Sequence, residues 1–147
     1  MKIIIGGDHS SVALKEAIGD YIKKNYKFKV KDIGTHKNDS VDYPDYGYKI
    51  AQEVAKGSAD RGIVICGTGI GISIAANKVK GIRAAMCYDA YTAIMSRKHN
   101  DANVLAIGAR TTLLENALII VDLWLKTEFE GGRHQKRVEL LNSYPSR

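Results

Sequence analysis

Two cysteines in 147 residues are too few for a disulfide framework. Both stand at the ends of expected strands, Cys66 and Cys87, which points to a reduced intracellular chain. No apolar run approaches the ~20 residues that cross a bilayer; Ala117 to Val121 reaches Leu125 only through Asp122. The opening M-K-I-I-I-G-G-D holds too short an apolar run for a secretory leader, and Asp8 follows it at once. Neither a membrane nor a secreted class is expected, and a cytoplasmic location is. No internal repeat, low-complexity tract or second domain is visible, so residues 1–147 are expected to form one domain.

What is present is an ordinary globular composition, 45% hydrophobic and 26% charged, long enough for a sizeable core. The formal net charge is +6. Its lysines crowd Lys23 to Lys31, with only Tyr26 and Phe28 among them. That reads as a solvated edge and not as a nucleic-acid surface. The same positive balance can draw in a phosphorylated small molecule.

Along the chain, strand and helix patterns alternate. Lys2 to Ile5 is a short apolar run ending in Gly6-Gly7, Asp8-His9 and Ser10. A helical face follows at Leu14, Ala17, Ile18, Tyr21 and Ile22, with Ser10 or Ser11 as N-cap. Phe28 to Ile33 alternates as a strand, Thr35 to Pro44 is a polar loop, and Pro44 opens a helix through Tyr48, Ala51, Val54 and Ala55. Further strands are expected at Ile63 to Cys66, Ile82 to Cys87 and Asn103 to Ile107. Helices follow each, from near Ile70, from Asp89 to about Lys98, and from Thr112 to Thr127. Gly131-Gly132 then breaks the chain before a last helix from Arg133 to about Asn142.

Five β-α repeats imply a five-stranded parallel sheet with helices on both faces: a three-layer, doubly wound α/β fold of the Rossmann or flavodoxin-like kind. A strand order of 2-1-3-4-5 would set strands one and three side by side at the switch point, where such sheets bind ligands. The helix from Thr112 carries Leu113, Leu114, Ala117, Leu118, Ile119, Ile120, Val121, Leu123, Trp124 and Leu125, which leaves little polar face. A helix apolar nearly all round is covered on more than one side. The second cover is expected to be another subunit, so that the C-terminal helical region reaches a partner in at least a dimer.

The chemistry gathers in Arg61 to Val79, R-G-I-V-I-C-G-T-G-I-G-I-S-I-A-A-N-K-V. Gly67, Gly69 and Gly71 let the backbone turn sharply and bring several N–H groups toward one point, behind which a helix begins near Ile70. Such a place favours negative charge, with the Cys66 thiol at its lip and the Thr68 hydroxyl beside it. Most unpaired cysteines are small buried hydrophobes. A thiol beside an anion-favouring loop can instead serve as nucleophile or base, with the loop holding the oxyanion. His99-Asn100 ends a helix and reads equally as a surface pair favoured by the helix dipole. Arg133 and Arg137 share one helix face, either a solvated basic face or a forked phosphate clamp, and Arg110 has the same two readings.

D-H at Asp8-His9, D-Y-P at Asp42 to Pro44, C-G-T-G-x-G-x-S-x-A-A-N-K from Cys66, H-N-D-x-N-V-L from His99 and E-G-G-R-H-x-x-R-V from Glu130 together resemble ribose-5-phosphate isomerase type B, essentially from end to end. The resemblance implies interconversion of ribose 5-phosphate and ribulose 5-phosphate in the pentose phosphate pathway, with no metal and no organic cofactor. It implies that Cys66 removes the C2 proton, Thr68 shuttles protons between O1 and O2, and the N–H groups of Gly67, Thr68, Gly69, Ile70 and Gly71 stabilise the enediolate. His99 would open the sugar ring. Asp8, His9, Tyr43 and Asn100 would bind the sugar, and Arg110, Arg133 and Arg137 the phosphate. A homodimer with shared sites is implied; pairing of dimers into tetramers is left open. Some members carry glycine at the Cys66 position and glutamate at Ile72; this chain is of the cysteine type. Isomerases of allose 6-phosphate or galactose 6-phosphate are the neighbouring alternatives. A non-catalytic nucleotide-binding module is disfavoured because Ile72 stands where a dinucleotide fingerprint needs glycine or alanine.

Overall fold

A computed structural model describes residues 1–144. Its strands are β1 (Lys2–Gly7), β2 (Lys29–Asp32), β3 (Arg61–Cys66), β4 (Ala84–Met86) and β5 (Val104–Gly108). Its helices are α1 (Val12–Tyr26), α2 (Tyr43–Ala55), α3 (Ile70–Ala76), α4 (Ala90–Asn100), α5 (Leu114–Lys126) and α6 (Arg133–Ser143). All pairings are parallel. The sheet order is β2-β1-β3-β5-β4. Strands one and three are neighbours as the sequence suggests, but the order 2-1-3-4-5 is corrected at its far end. β5 is V-L-A-I-G, buried at every position, whereas β4 is three half-exposed residues. The longer apolar strand takes the interior place and the short one becomes the edge.

The pleat sorts the strand residues between two cores. Ile3, Ile5, Ile63, Ile65, Leu105 and Ile107 meet α1 and α5 on one face. Ile4, Val64, Cys66, Val104 and Ala106 meet α2 and α3 on the other. The central strands are therefore apolar on both faces, while β2, K-V-K-D, alternates as an edge strand should.

Local signals explain several element ends. Asp89 and Thr92 form a reciprocal capping box at the start of α4. Pro44 sits in the first turn of α2 behind Asp42. At α1 the expectation is refined: Asp8 caps a 3₁₀ turn at His9–Ser11, and Ser11 precedes α1 without a side-chain cap bond. The Ser11 hydroxyl donates instead to the Asp8 carbonyl, at 2.6 Å.

Helix α5 buries Ala117, Ile120, Val121, Trp124 and Leu125 against the sheet. The Asp122 carboxylate takes hydrogen bonds from the hydroxyls of Tyr21 and Tyr26, which ties α5 to α1. Leu113, Leu114 and Ile119 are exposed. One side of this helix is thus covered within the chain and an apolar remainder faces outward. Among the described residues no helix is long and apolar enough to cross a membrane.

Seating of α5 has a direct test. Ile120→Ala is expected to cost about 2–5 kcal/mol of unfolding free energy, read as a lower urea midpoint at unchanged slope. A loss under ~0.5 kcal/mol, typical of surface positions, would contradict the packing described here.

Candidate active site

β1 and β3 lie side by side, but the chain leaves them in opposite directions: α1 packs on one face and α3 on the other. Their carboxyl ends therefore border a crevice that no connection fills. A cleft of about 570 Å³ opens there. Asp8 and His9 enter it from β1, Cys66, Gly67 and Thr68 from β3, and Ile70, Gly71 and Ile74 from α3. Tyr43 closes one side and Arg110 another.

The loop after β3 is held from both sides. Ala109 and Arg110 donate their N–H groups to the carbonyls of Cys66 and Gly67, at 2.8 and 2.9 Å. Gly69 adopts φ +78°, a left-handed conformation that favours glycine. Its N–H then turns back onto Cys66 Sγ at 3.2 Å and fixes the thiol at the cleft wall. Gly71 is needed for contact: a β-carbon there would lie 2.5 Å from the Tyr43 ring. Of the five N–H groups from Gly67 to Gly71, two are engaged, Gly69 on Cys66 and Ile70 on the Thr68 hydroxyl oxygen. Among the described residues those of Gly67, Thr68 and Gly71 have no acceptor.

The other cleft residues are braced from behind. Asp8, 6% exposed, accepts from both the N–H and the hydroxyl of Ser10. His9 Nδ1 accepts the Val41 N–H at 3.2 Å, so in the neutral ring Nε2 carries the proton. The Arg110 side chain runs along Gly67 and makes no ion pair or side-chain hydrogen bond among the described residues. It is a free cation beside free backbone donors.

His99, Asn100, Arg133 and Arg137 do not line this cleft. They gather where the end of α4 meets the start of α6, held by the Glu130 N–H on the Lys98 carbonyl. The His99 ring stacks on His134, centroid to centroid 4.1 Å. Asn100 borders a second cavity of about 530 Å³ beside β4 and α6, which holds neither the thiol nor the glycine loop. The residues expected to share one site thus fall into two groups that do not meet within the chain. Among the described residues no three His, Cys, Asp or Glu side chains gather as metal ligands.

Two residues escaped the sequence reading. Ile74 lines the cleft one turn beyond Ile70, a position the i,i+4 helical spacing gives away. His134 reads in the sequence only with Arg133 and Arg137, as a solvated basic face or a phosphate clamp; nothing in the linear pattern announces a stack with His99.

Fold and cleft together define a doubly wound α/β protein whose switch-point cleft is lined by a thiol, a free guanidinium and unengaged backbone N–H groups. The chain belongs to the ribose/galactose isomerase family, whose model matches residues 3–141. It is 49% identical to ribose-5-phosphate isomerase B of Escherichia coli, over 99% of this chain and 97% of that protein. A solved ribose-5-phosphate isomerase B of Clostridium thermocellum is 60% identical and superposes with a TM-score of 0.94 over 97% of this chain and 95% of the other. That of Mycoplasma genitalium, solved with bound ribulose 5-phosphate, is 43% identical with a TM-score of 0.94, over 97% and 95%.

The two thiols are expected to react differently. Burial pushes the Cys87 thiol up, against hydrogen bonds from Ser96 and Thr92, and Cys87 lies outside the cleft. Iodoacetamide applied to the native protein should label Cys66 alone, mapped by mass spectrometry, and both cysteines in urea. Prior labelling of Cys87 would contradict the placement of Cys66 at an open cleft.

Proposed function

We propose that this chain interconverts D-ribose 5-phosphate and D-ribulose 5-phosphate through a cis-enediolate. The observation that carries the reading is the Cys66 sulfur at the wall of a cleft beside three unengaged backbone N–H groups. A C2 proton next to a carbonyl becomes acidic only when the oxyanion formed is stabilised, so base and donors must be adjacent. In the open-chain aldose the Cys66 thiolate takes the C2 proton and becomes a thiol. The electron pair moves into the C1–C2 bond, and the aldehyde oxygen O1 becomes the oxyanion. Gly67, Thr68 and Gly71 meet it with their N–H groups, and the Thr68 hydroxyl relays a proton between O2 and O1. The proton on sulfur is then returned to C1, which yields the ketose. A positioned base contributes about 10²–10⁴-fold, and one aimed oxyanion donor about 3–4 kcal/mol.

Ribose 5-phosphate is mostly cyclic, so an acid must first protonate the ring oxygen. His99 is that acid, and Asp8, His9, Tyr43 and Asn100 hold the sugar. Arg110 from the cleft, with Arg133 and Arg137, holds the phosphate, whose distance from the reacting carbons supplies orientation. A homodimer joins the two groups, one chain giving Cys66 and its partner His99, Arg133 and Arg137. The exposed Leu113, Leu114 and Ile119 support such an interface. Both free cysteines agree with a cytoplasmic enzyme.

Cys66→Ala is expected to abolish isomerisation while ribulose 5-phosphate still binds, measured by calorimetry; normal turnover in that variant refutes the base assignment. Sharing of the site is tested by complementation. Cys66→Ala and His99→Asn, each nearly inactive alone, are co-expressed with different tags. Random pairing should restore about a quarter of wild-type activity, since half the dimers are mixed and each mixed dimer has one intact site. No restoration in purified mixed dimers means that each site is built from a single chain.

A further inference from the structure

His134 is almost completely buried, 3% exposed, on a helix that otherwise buries only Val138. A buried imidazole on so polar a helix calls for a reason. Its ring lies parallel to that of His99, 11° between planes, at 4.1 Å. Arg133 Nε donates to His134 Nε2 at 3.4 Å, which leaves that nitrogen as an acceptor and the ring neutral. Glu130 stands 3.8 Å from the same nitrogen. Burial first, then the rings and charges of His99, Arg133 and Arg137, hold the His134 imidazole below its usual pKa, with Glu130 opposing. The pair is therefore asymmetric: His134 is buried and kept neutral, while His99 is the partly exposed ring. The flat face of a neutral aromatic ring is a good rest for a cation.

We propose that His134 is a positioning residue for the ring-opening step: its neutral ring fixes the plane of His99 and supports His99 when it carries the proton. This rests on the role given to His99 above. An imidazole near the end of a helix has two free torsions; stacked on a buried ring it keeps one orientation, and an acid must be aimed to be efficient. The arrangement also sets the stacking ring and a proposed phosphate-clamp residue side by side, since Arg133 touches His134 directly.

The test uses two variants that fill the site: His134→Leu, which has no flat face, and His134→Phe, which keeps one but has no nitrogen. His134→Leu is expected to lower kcat for ribose 5-phosphate about ten-fold, with KM within about two-fold, and to shift the His99 ring-proton resonances downfield as the ring current is lost. His134→Phe should keep most of kcat and the upfield positions. Unchanged kcat in His134→Leu with only a lower melting temperature means a purely structural role and overturns the proposal. So does a His134→Phe variant as slow as His134→Leu, because then the nitrogen matters and the stack does not. His99→Asn is assayed alongside. If it turns over normally, the ring-opening reading fails on its own, while the His99 resonances still decide whether His134 orients that ring.

Discussion

The ladder between β1 and β3 sets everything at the cleft. Gly7 pairs with Ile65, and the Asp8 N–H continues the ladder onto the Ile65 carbonyl at 3.3 Å. That register brings the end of one strand, with Asp8 and His9, level with Cys66 at the end of the other. A slip of one residue would turn Cys66 and its neighbours to the opposite face of the sheet. Such a slip is resisted by the interior itself: Ile3, Ile4, Ile5, Ile63, Val64 and Ile65 are all buried, so a shift of either strand would mismatch two cores at once. The thiol's position is thus held by hydrophobic packing several residues away from any chemistry.

Division of the functional groups between two places has an electrostatic sense. Arg110 is an unpaired cation beside unengaged N–H groups, in a cleft whose one carboxylate, Asp8, is already engaged by Ser10. Adding Arg133 and Arg137 to the same wall of one chain would crowd three guanidinium groups around a single carboxylate, Asp8. Carried on α6, the two arginines lie outside the cleft that holds Arg110. In the proposed dimer, the two copies would bring these arginines and Arg110 to one anion.

The sheet class and the glycine loop were legible because their signals are local. Strand–glycine–helix is written in consecutive residues, and the β-α alternation needs only apolar periodicity. The place of β5 was not legible, since strand order depends on which strand buries more, and β4 contributes only Ala84 to Met86. Nor could residue types show which loop N–H groups remain free: that follows from Gly69 turning back onto the sulfur and Ile70 onto the Thr68 hydroxyl. The His99–His134 stack joins residues on two helices whose approach is decided by tertiary packing alone. Residue types announce chemistry; the three-dimensional pairing decides which of it is engaged.

The opposite end of the sheet shows what the cleft end forgoes. At the amino ends of the strands, the guanidinium groups of Arg61 and Arg97 lie over Trp124, 5.2 and 5.9 Å from its centroid. Arg97 is buried yet satisfied, by Asp101 and by the carbonyls of Ala102 and Thr127. Arg61 donates to the carbonyls of Trp124 and Leu125 that end α5; burial, then Arg97, brings its pKa down to about 10, so it stays charged near neutrality. Polar groups there are closed on one another, and a single buried indole N–H is left over among the described side chains. At the carboxyl ends the Arg110 guanidinium and three backbone N–H groups stay open. Groups left unsatisfied weaken a fold when they are buried, so they belong where solvent or a ligand can reach them. The charged groups around Trp124 are engaged, whereas Arg110 at the cleft stays open.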